Sequence, residues 1–351
     1  MAYRKSKGKL ARRSKKIEPA AMTLNFSTAS VSGGASQSFY LDLSQVASLV
    51  NRRFYRQGIN WAVSGIKIST NGDGSLTTMK LPNTWVMGNA WEKSFRSWQE
   101  MNEKALEDTE SIRPRFMDFK IFADARHHNL GYGANLLPNT LKVTNAGVAT
   151  IDVATAGEWE SSKISIPTSG ATGNATDFEV IAVGASFPGA GASTLDAVSA
   201  IEGYASSRGL PYSSDPNVPD DADDVGPTGT PENWMGALTN EAMDQDKDVL
   251  DRMVGAAAEN NQAPYPFEND GVNADTMYPN GANQLDGMEI HDFQFITPTT
   301  VGGTTRIHGG MFPCGLMCFF WAPNTSSNLN IQLELVPGHH RGYLCEPMTD
   351  M

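Results

Sequence analysis

Eight basic side chains crowd the first sixteen residues, MAYRKSKGKLARRSKK, and no acidic side chain lies among them. They are Arg4, Lys5, Lys7, Lys9, Arg12, Arg13, Lys15 and Lys16. Lysine and arginine at this density neutralise phosphates and release counter-ions, which gives binding that is nearly indifferent to base sequence. Because Tyr3 is the only aromatic residue among them, base stacking contributes little there. The segment predicts a nucleic-acid-binding basic arm.

A second basic group, the basic knot, is formed by Arg52, Arg53 and Arg56 in the segment NRRFYRQG. Phe54 and Tyr55 lie within it, just before a predicted strand. If the knot faces the same side as the arm, it extends the surface for a polyanion. The alternative is an ordinary solvated turn.

The rest of the chain has the opposite charge. The whole chain holds 27 basic and 39 acidic side chains, so the residues after the arm hold 19 against 39, a net charge of −20. This division favours a folded body with a short tether over an enzyme with a basic cleft. The alternatives for the arm are a disordered solubilising tail and a nuclear-import signal, since short Lys/Arg-rich stretches serve both purposes.

Motifs for catalysis, cofactors and metals are weak in this chain. It contains no G-x-x-x-x-G-K-[ST], G-x-S-x-G or H-E-x-x-H pattern, so we predict neither an enzymatic site nor a cofactor. The cysteines Cys314, Cys318 and Cys345 precede or follow a His pair, but their spacing is not that of a zinc site. Because Cys318 lies in the apolar run LMCFFW, we predict buried free thiols and no metal.

Three other clusters invite a functional interpretation. His127 and His128 are expected in a solvated loop. The acidic run Asp220–Asp224 is expected to be a solvated loop, with a calcium site as the alternative. Glu158 and Glu160 flank a tryptophan as in a sugar cleft, although chance adjacency explains the pair in an acidic chain.

Alternating apolar residues and turn signals indicate about ten short strands. One of them is predicted over Ile59–Thr70, with a bulge or bend at Gly65. Helical spacing of aromatic residues predicts one helix over Asn89–Glu107, which serves either the core or a subunit contact. A second helix is predicted over Glu232–Ala258, inside a Gly/Pro/Asp-rich surface insertion at about residues 188–281. The pattern predicts an all-β protein, either a sandwich or a jelly roll. No apolar run is long enough for a transmembrane helix.

With these residues in view, the chain resembles capsid proteins of small circular single-stranded DNA viruses that encode a replication protein, the bacilladnavirus-like and environmental members above all. The resemblance rests on the basic start, on NRRFYRQGINWAVSGIKI (Asn51–Ile68) and on LPNTWVMGNAWEKSFRSWQEM (Leu81–Met101). The last segment is the most specific, and together the three cover about the first third of the chain.

The resemblance implies a viral jelly roll, an eight-stranded antiparallel sandwich with helical and loop insertions, over residues 19–351, preceded by a disordered arm at 1–18. It implies a non-enzymatic structural protein of the virion that self-assembles into an icosahedral shell around circular single-stranded DNA. The arm would face inward onto the genome, and an import signal there would bring the protein to the host nucleus for assembly. No membrane partner is expected, and the sequence identifies no host receptor.

Two other classes stay open on the residues alone. One is an acidic β-sandwich carbohydrate-active enzyme with an incidental basic tag, which predicts two essential carboxylates. The other is a phage or tail structural protein. Neither gives the basic arm a role.

Overall fold

The computed structural model describes residues 18–105, 118–143, 147, 149–167, 175–186, 189–206, 234–235, 287–297 and 304–350. The strands are β1 (Thr23–Ser27), β2 (Gln37–Asp42), β3 (Ile59–Thr70), β4 (Gly74–Lys80), β5 (Asn139–Val143), β6 (Ala149–Val153), β7 (Lys163–Pro167), β8 (Ala175–Ile181), β9 (Asp196–Ser199), β10 (Glu289–Ile296), β11 (Thr304–Phe312), β12 (Leu316–Pro323), β13 (Leu329–Leu335), β14 (Pro337–Gly338), β15 (Gly342–Tyr343) and β16 (Cys345–Pro347). The α-helices are α1 (Leu43–Asn51), α2 (Trp85–Ala105), α3 (Ala125–Leu130) and α4 (Ala200–Ser206), and short 3-10 helices span Tyr132–Ala134, Pro313–Gly315 and Met348–Asp350.

Two antiparallel sheets dominate the described part of the chain, which confirms the all-β prediction at the level of fold class. The first has the order β1-β13-β3-β11, with β16 also pairing with β3, and the second has the order β10-β4-β12-β2. Across the two sheets, strands pair first with last: β1 with β13, β2 with β12, β3 with β11 and β4 with β10.

The main core lies between the two sheets. In β13 the apolar side chains Ile331 and Leu333 point inward, whereas Asn330 and Glu334 point outward. This alternation is that of a half-buried strand. In the facing sheet β4 alternates in the same way, and Trp321 of β12 is fully buried.

Strand β12 is buried on both faces, which explains its continuous apolar run. Met317 and Phe319 pack into the core between the sheets. Leu316 and Cys318 point to the opposite side and join a second core. Cys314 is fully buried in that core as well, so the predicted burial of these two thiols is confirmed. Cys345 is free and only partly buried.

The second core is built by the chain between β4 and β10. Helices α2 and α4, strands β7 and β8, and the helical residues Trp234 and Met235 cover the outer face of the second sheet. Helix α2 begins at Trp85, four residues before the predicted start. Most of the predicted insertion at 188–281 lies outside the described residues. The same holds for Asp220–Asp224 and for the predicted 232–258 helix beyond its two described residues.

The bulge predicted at Gly65 is confirmed. On β3, Gly65 faces Glu334 and the next paired residue is Val63, which faces Leu335. The register therefore skips one residue of β3. Such a skip bends a strand and increases its twist locally. The long β3 pairs with β11, β13 and β16.

Candidate nucleic-acid interface

The basic knot is positioned by the end of helix α1. Asp42 caps the start of this helix by accepting hydrogen bonds from the backbone N–H groups of Ser44 (2.8 Å) and Gln45 (3.3 Å). The helix ends at Arg52, whose φ of 51° is left-handed, a conformation common at helix ends. Arg52 and Arg56 are exposed, and the structure records no ion pair for either within the described residues.

The first described residues of the chain lie against the knot. Nη1 of Arg53 is 3.0 Å from Oε2 of Glu18. The backbone N–H of Ala21 donates to Oδ1 of Asn51 (3.0 Å), and its carbonyl accepts from the hydroxyl of Tyr343 (2.7 Å). The segment that follows the basic arm is therefore fastened beside Arg53.

Arg341, from the C-terminal part of the chain, joins the knot. Its guanidinium donates to the backbone carbonyl of Phe54, and its own carbonyl accepts from the hydroxyl of Tyr55 at 2.9 Å. Next to it, burial and then the charge of Arg341 lower the pKa of His340. Residues almost 290 positions apart thus form one basic surface.

Beside the knot lies a cleft of about 470 Å³. It is lined by Phe54, Arg56, Gly58, Ile59, Trp91, Phe95, Asp118, Phe119, His340 and Arg341. The lining therefore combines aromatic rings with guanidinium groups, and we call it the aromatic cleft.

The aromatic wall of the cleft comes from helix α2 and the segment after it. The rings of Trp91 and Phe95 stack with centroids 5.3 Å apart, and Phe119 lies 5.9 Å from Phe95. Gly58 permits this arrangement, since a Cβ there would overlap the Trp91 ring. Trp98 extends the stack at 6.2 Å from Phe95.

Gln57 holds the knot and the aromatic wall together. Its side-chain amide donates to the carbonyl of Ile121 (3.0 Å) and accepts from the N–H of the same residue (2.6 Å). It also donates to Oδ2 of Asp42 (3.1 Å), which accepts a further bond from Trp159 (3.1 Å). Burial outweighs these bonds and raises the pKa of Asp42 to about 7. This network places Arg56, which precedes Gln57, next to the chain that carries Phe119.

The one acidic residue in the cleft lining is paired. Oδ2 of Asp118 is 2.7 Å from Nζ of Lys120, and both side chains are largely buried. Lys120 also lies over the Trp159 ring, 4.4 Å from its centroid. The negative charge of Asp118 is therefore offset locally.

The structure brings together only part of the predicted site. Arg52, Arg53 and Arg56 form one surface, whereas Arg4, Lys5, Lys7, Lys9, Arg12, Arg13, Lys15 and Lys16 lie outside the described residues. Sequence reasoning missed Arg341, because nothing local signals a partner so far along the chain. It predicted the aromatic face of the helix as core or subunit contact, and Trp91 and Phe95 do pack in the second core.

His127 and His128 are not in a solvated loop, so that prediction is wrong. Both lie in the short helix α3 and are fully buried. Nδ1 of His127 accepts from the N–H of Ala123 (3.1 Å), and its Nε2 is 2.8 Å from Oδ1 of Asn135. Burial lowers the pKa of His127 to about 3. Nε2 of His128 is 2.9 Å from Oε2 of the buried Glu179.

Within the described ranges, no group of three or more His, Cys, Asp or Glu side chains converges in a way that holds a metal ion. Among the same residues, no helix has both the length and the apolar character needed to cross a membrane. Comparisons with protein-family models, curated proteins and solved structures found no match to this chain.

Proposed function

We propose that this chain is a viral capsid protein, with no catalytic role, that forms a homo-oligomeric icosahedral shell and packages circular single-stranded DNA. One observation carries the proposal: the polybasic segment joins an otherwise acidic body at a second basic surface, where Glu18 meets Arg53. Polyanion binding concentrated at one site suits a shell protein, because one face can meet the genome while the acidic remainder faces water.

We further propose that the two main sheets form a jelly roll. The order of their strands supports this. Numbered one to eight along the chain, β1–β4 and β10–β13 pair as one with eight, two with seven, three with six and four with five. A long antiparallel hairpin that folds over into two sheets produces these pairs, and two sheets of this kind make up a jelly roll.

An exposed two-stranded ribbon supports self-assembly. In β5 and β6 the apolar residues Leu141 and Ile151 face each other and are 67% and 74% exposed. Val143 and Val153 share that face, whereas Thr150 lies on the opposite one. An isolated ribbon is marginal in water, and an uncovered apolar face on it is typical of a contact surface. We assign this face to a neighbouring copy of the chain.

The outer edge of the second sheet supports the same conclusion. Phe293 and Phe295 on β10 are 49% and 75% exposed, and their ring centroids are 5.0 Å apart. Within the described residues β10 pairs only with β4, which makes it an edge strand of the second sheet there. Such an edge pairs readily with another chain unless it is covered.

Electron microscopy and sedimentation of the purified full-length protein test the proposal. We expect closed, uniform particles that protect single-stranded DNA from nuclease. A strictly monomeric species across salt and pH would contradict it, and glycan cleavage by such a monomer would favour the enzyme class. Fibres without nucleic acid would favour a tail protein instead.

A further inference from the structure

The aromatic cleft combines two chemistries at one place. Phe54 and Phe95 are half-buried and offer aromatic surface, backed by the buried rings of Trp91 and Phe119. Arg56 and Arg341 offer guanidinium groups at the same opening. A nucleotide has the matching pair of features, a flat π-system joined to an anionic phosphate. An apolar peptide or lipid chain would offer no negative charge to either guanidinium group.

We propose that this cleft binds one nucleotide of the single strand, with its base against the aromatic wall and its phosphate on Arg56 and Arg341. The inference rests on the proposed packaging function. It adds that the folded body, and not only the basic arm, binds the packaged strand. Base stacking on aromatic side chains tolerates any base, because every base has a π-face. The cleft therefore adds affinity for bases without adding sequence preference.

The size and the charge of the cleft suit such a ligand. Its volume of about 470 Å³ lies within the range of small-molecule sites, roughly 300–1,000 Å³. The carboxylate oxygens of Asp118 are shut off from solvent and lie beside Lys120. The pairing with Lys120 therefore reduces the repulsion between Asp118 and the phosphate. Arg56, by contrast, is exposed.

The attachment of the basic arm brings the strand to this cleft. Arg53 contacts Glu18, just after the basic arm. The next residue after Arg53, Phe54, lines the cleft. A strand that binds the arm is thus held near the cleft. Tethering two binding elements in this way raises the effective concentration of the second.

Two ten-nucleotide probes test the inference on the full-length chain: an oligodeoxyadenylate and an abasic phosphodiester of equal length and charge. We expect the oligodeoxyadenylate to bind about tenfold more tightly, since the loss of one base stack weakens binding by this order. Phe95→Leu keeps the cleft filled but removes a stacking face, and should bring the ratio of the two affinities toward one. Circular dichroism checks that this variant is folded.

A matched pair of charge variants separates the cleft from the general basic surface. Arg56→Ala and Arg52→Ala each remove one exposed cation, but only Arg56 lines the cleft. Both variants should bind the abasic probe more weakly, to a similar degree. Arg56→Ala should weaken binding of the oligodeoxyadenylate several-fold more than Arg52→Ala does. Photo-crosslinking with 5-iodouracil DNA should label a peptide that contains Phe54 or Trp91.

Equal binding of the two probes by the unaltered protein, or crosslinks confined to residues 1–16, would overturn the inference. If particles that package DNA still form in that case, only the cleft assignment fails. If neither probe binds and no particles form, the proposed function itself fails.

Discussion

Nη1 of Arg53 lies 3.0 Å from Oε2 of Glu18, at the point where the described chain begins. Exposed ion pairs of this kind contribute only about 0–1 kcal/mol, so this contact adds little to the attachment of the arm. The hydrogen bonds of the Ala21 backbone to Asn51 and Tyr343 fix this segment instead. The basic arm is therefore rooted beside the basic knot by bonds that do not depend on charge.

Deletion of residues 2–16 should leave the body folded, because the bonds at Ala21 and beyond stay intact, but should reduce the DNA in the particles sharply. If all eight cations meet phosphates, the slope of log K against log salt is about −5 to −6 per arm, since each neutralised phosphate contributes about −0.7 on a single strand. Salt-dependent binding and the 260/280 nm absorbance ratio of the particles measure the two effects.

The control for the arm is its charge-preserving version, with every arginine of residues 1–16 replaced by lysine. It should package as much DNA as the parent, because phosphate neutralisation depends on charge and not on the guanidinium shape. Equal packaging by the deletion variant would leave the arm as an import signal only.

Ile151→Asp on the exposed ribbon should abolish or strongly weaken assembly while the subunit stays folded. The side chain is 74% exposed, so the free energy of unfolding should change by no more than about 0.5 kcal/mol. Thr150→Asp, one residue away on the polar face, is the matched control and should assemble normally. Sedimentation of the two variants decides the matter, and equal assembly would remove the ribbon from the subunit contacts.

The class of the fold followed from local patterns. The period-two alternation in Ile59–Thr70 predicted β3 with its observed bounds, and the glycine within it marked the bulge. Strand order did not follow, because the pairing of Leu24 with Leu333 joins residues more than 300 positions apart. Local propensity carries no information about such contacts.

The candidate site was predictable only in its local part. Three arginines within five residues drew attention to the knot, but Arg341 and the cleft depend on tertiary packing. The burial of His127 was not predictable for the same reason. Two histidines next to an arginine form a polar stretch of sequence, which predicts exposure. His127 is buried because it packs against Tyr40 and Phe122.

His127 should make the subunit less stable as the pH falls. It is buried in a neutral form, with the proton on Nε2 facing Asn135, and its pKa is lowered to about 3 from the usual 6.5. Between these values the unfolded chain binds a proton that the folded chain does not. The stabilisation is therefore complete above pH 6.5 and is lost as the pH falls toward 3, by up to about 1.4 kcal/mol per pH unit.

His127→Gln isolates this contribution, because the glutamine amide can accept from Ala123 and donate to Asn135 without titrating. Asp42, whose pKa is raised to about 7, opposes the trend in both proteins and cancels in the comparison. Denaturant unfolding of unassembled subunits at pH 7, 6 and 5 gives the difference in free energy of unfolding. That difference should shift in favour of the variant as the pH falls, and a constant difference would contradict a neutral buried His127.

Gly58→Ala should destabilise the protein by about 1–3 kcal/mol, the usual cost of overpacking. A Cβ at this position overlaps the Trp91 ring, and that ring has little room to move because it stacks on Phe95. Gly133→Ala is the matched control, since its Cβ would meet no atom within 4 Å. Thermal unfolding compares the two variants. An equal melting temperature for both would mean that Trp91 yields easily, and the aromatic wall of the cleft would then not be rigidly positioned.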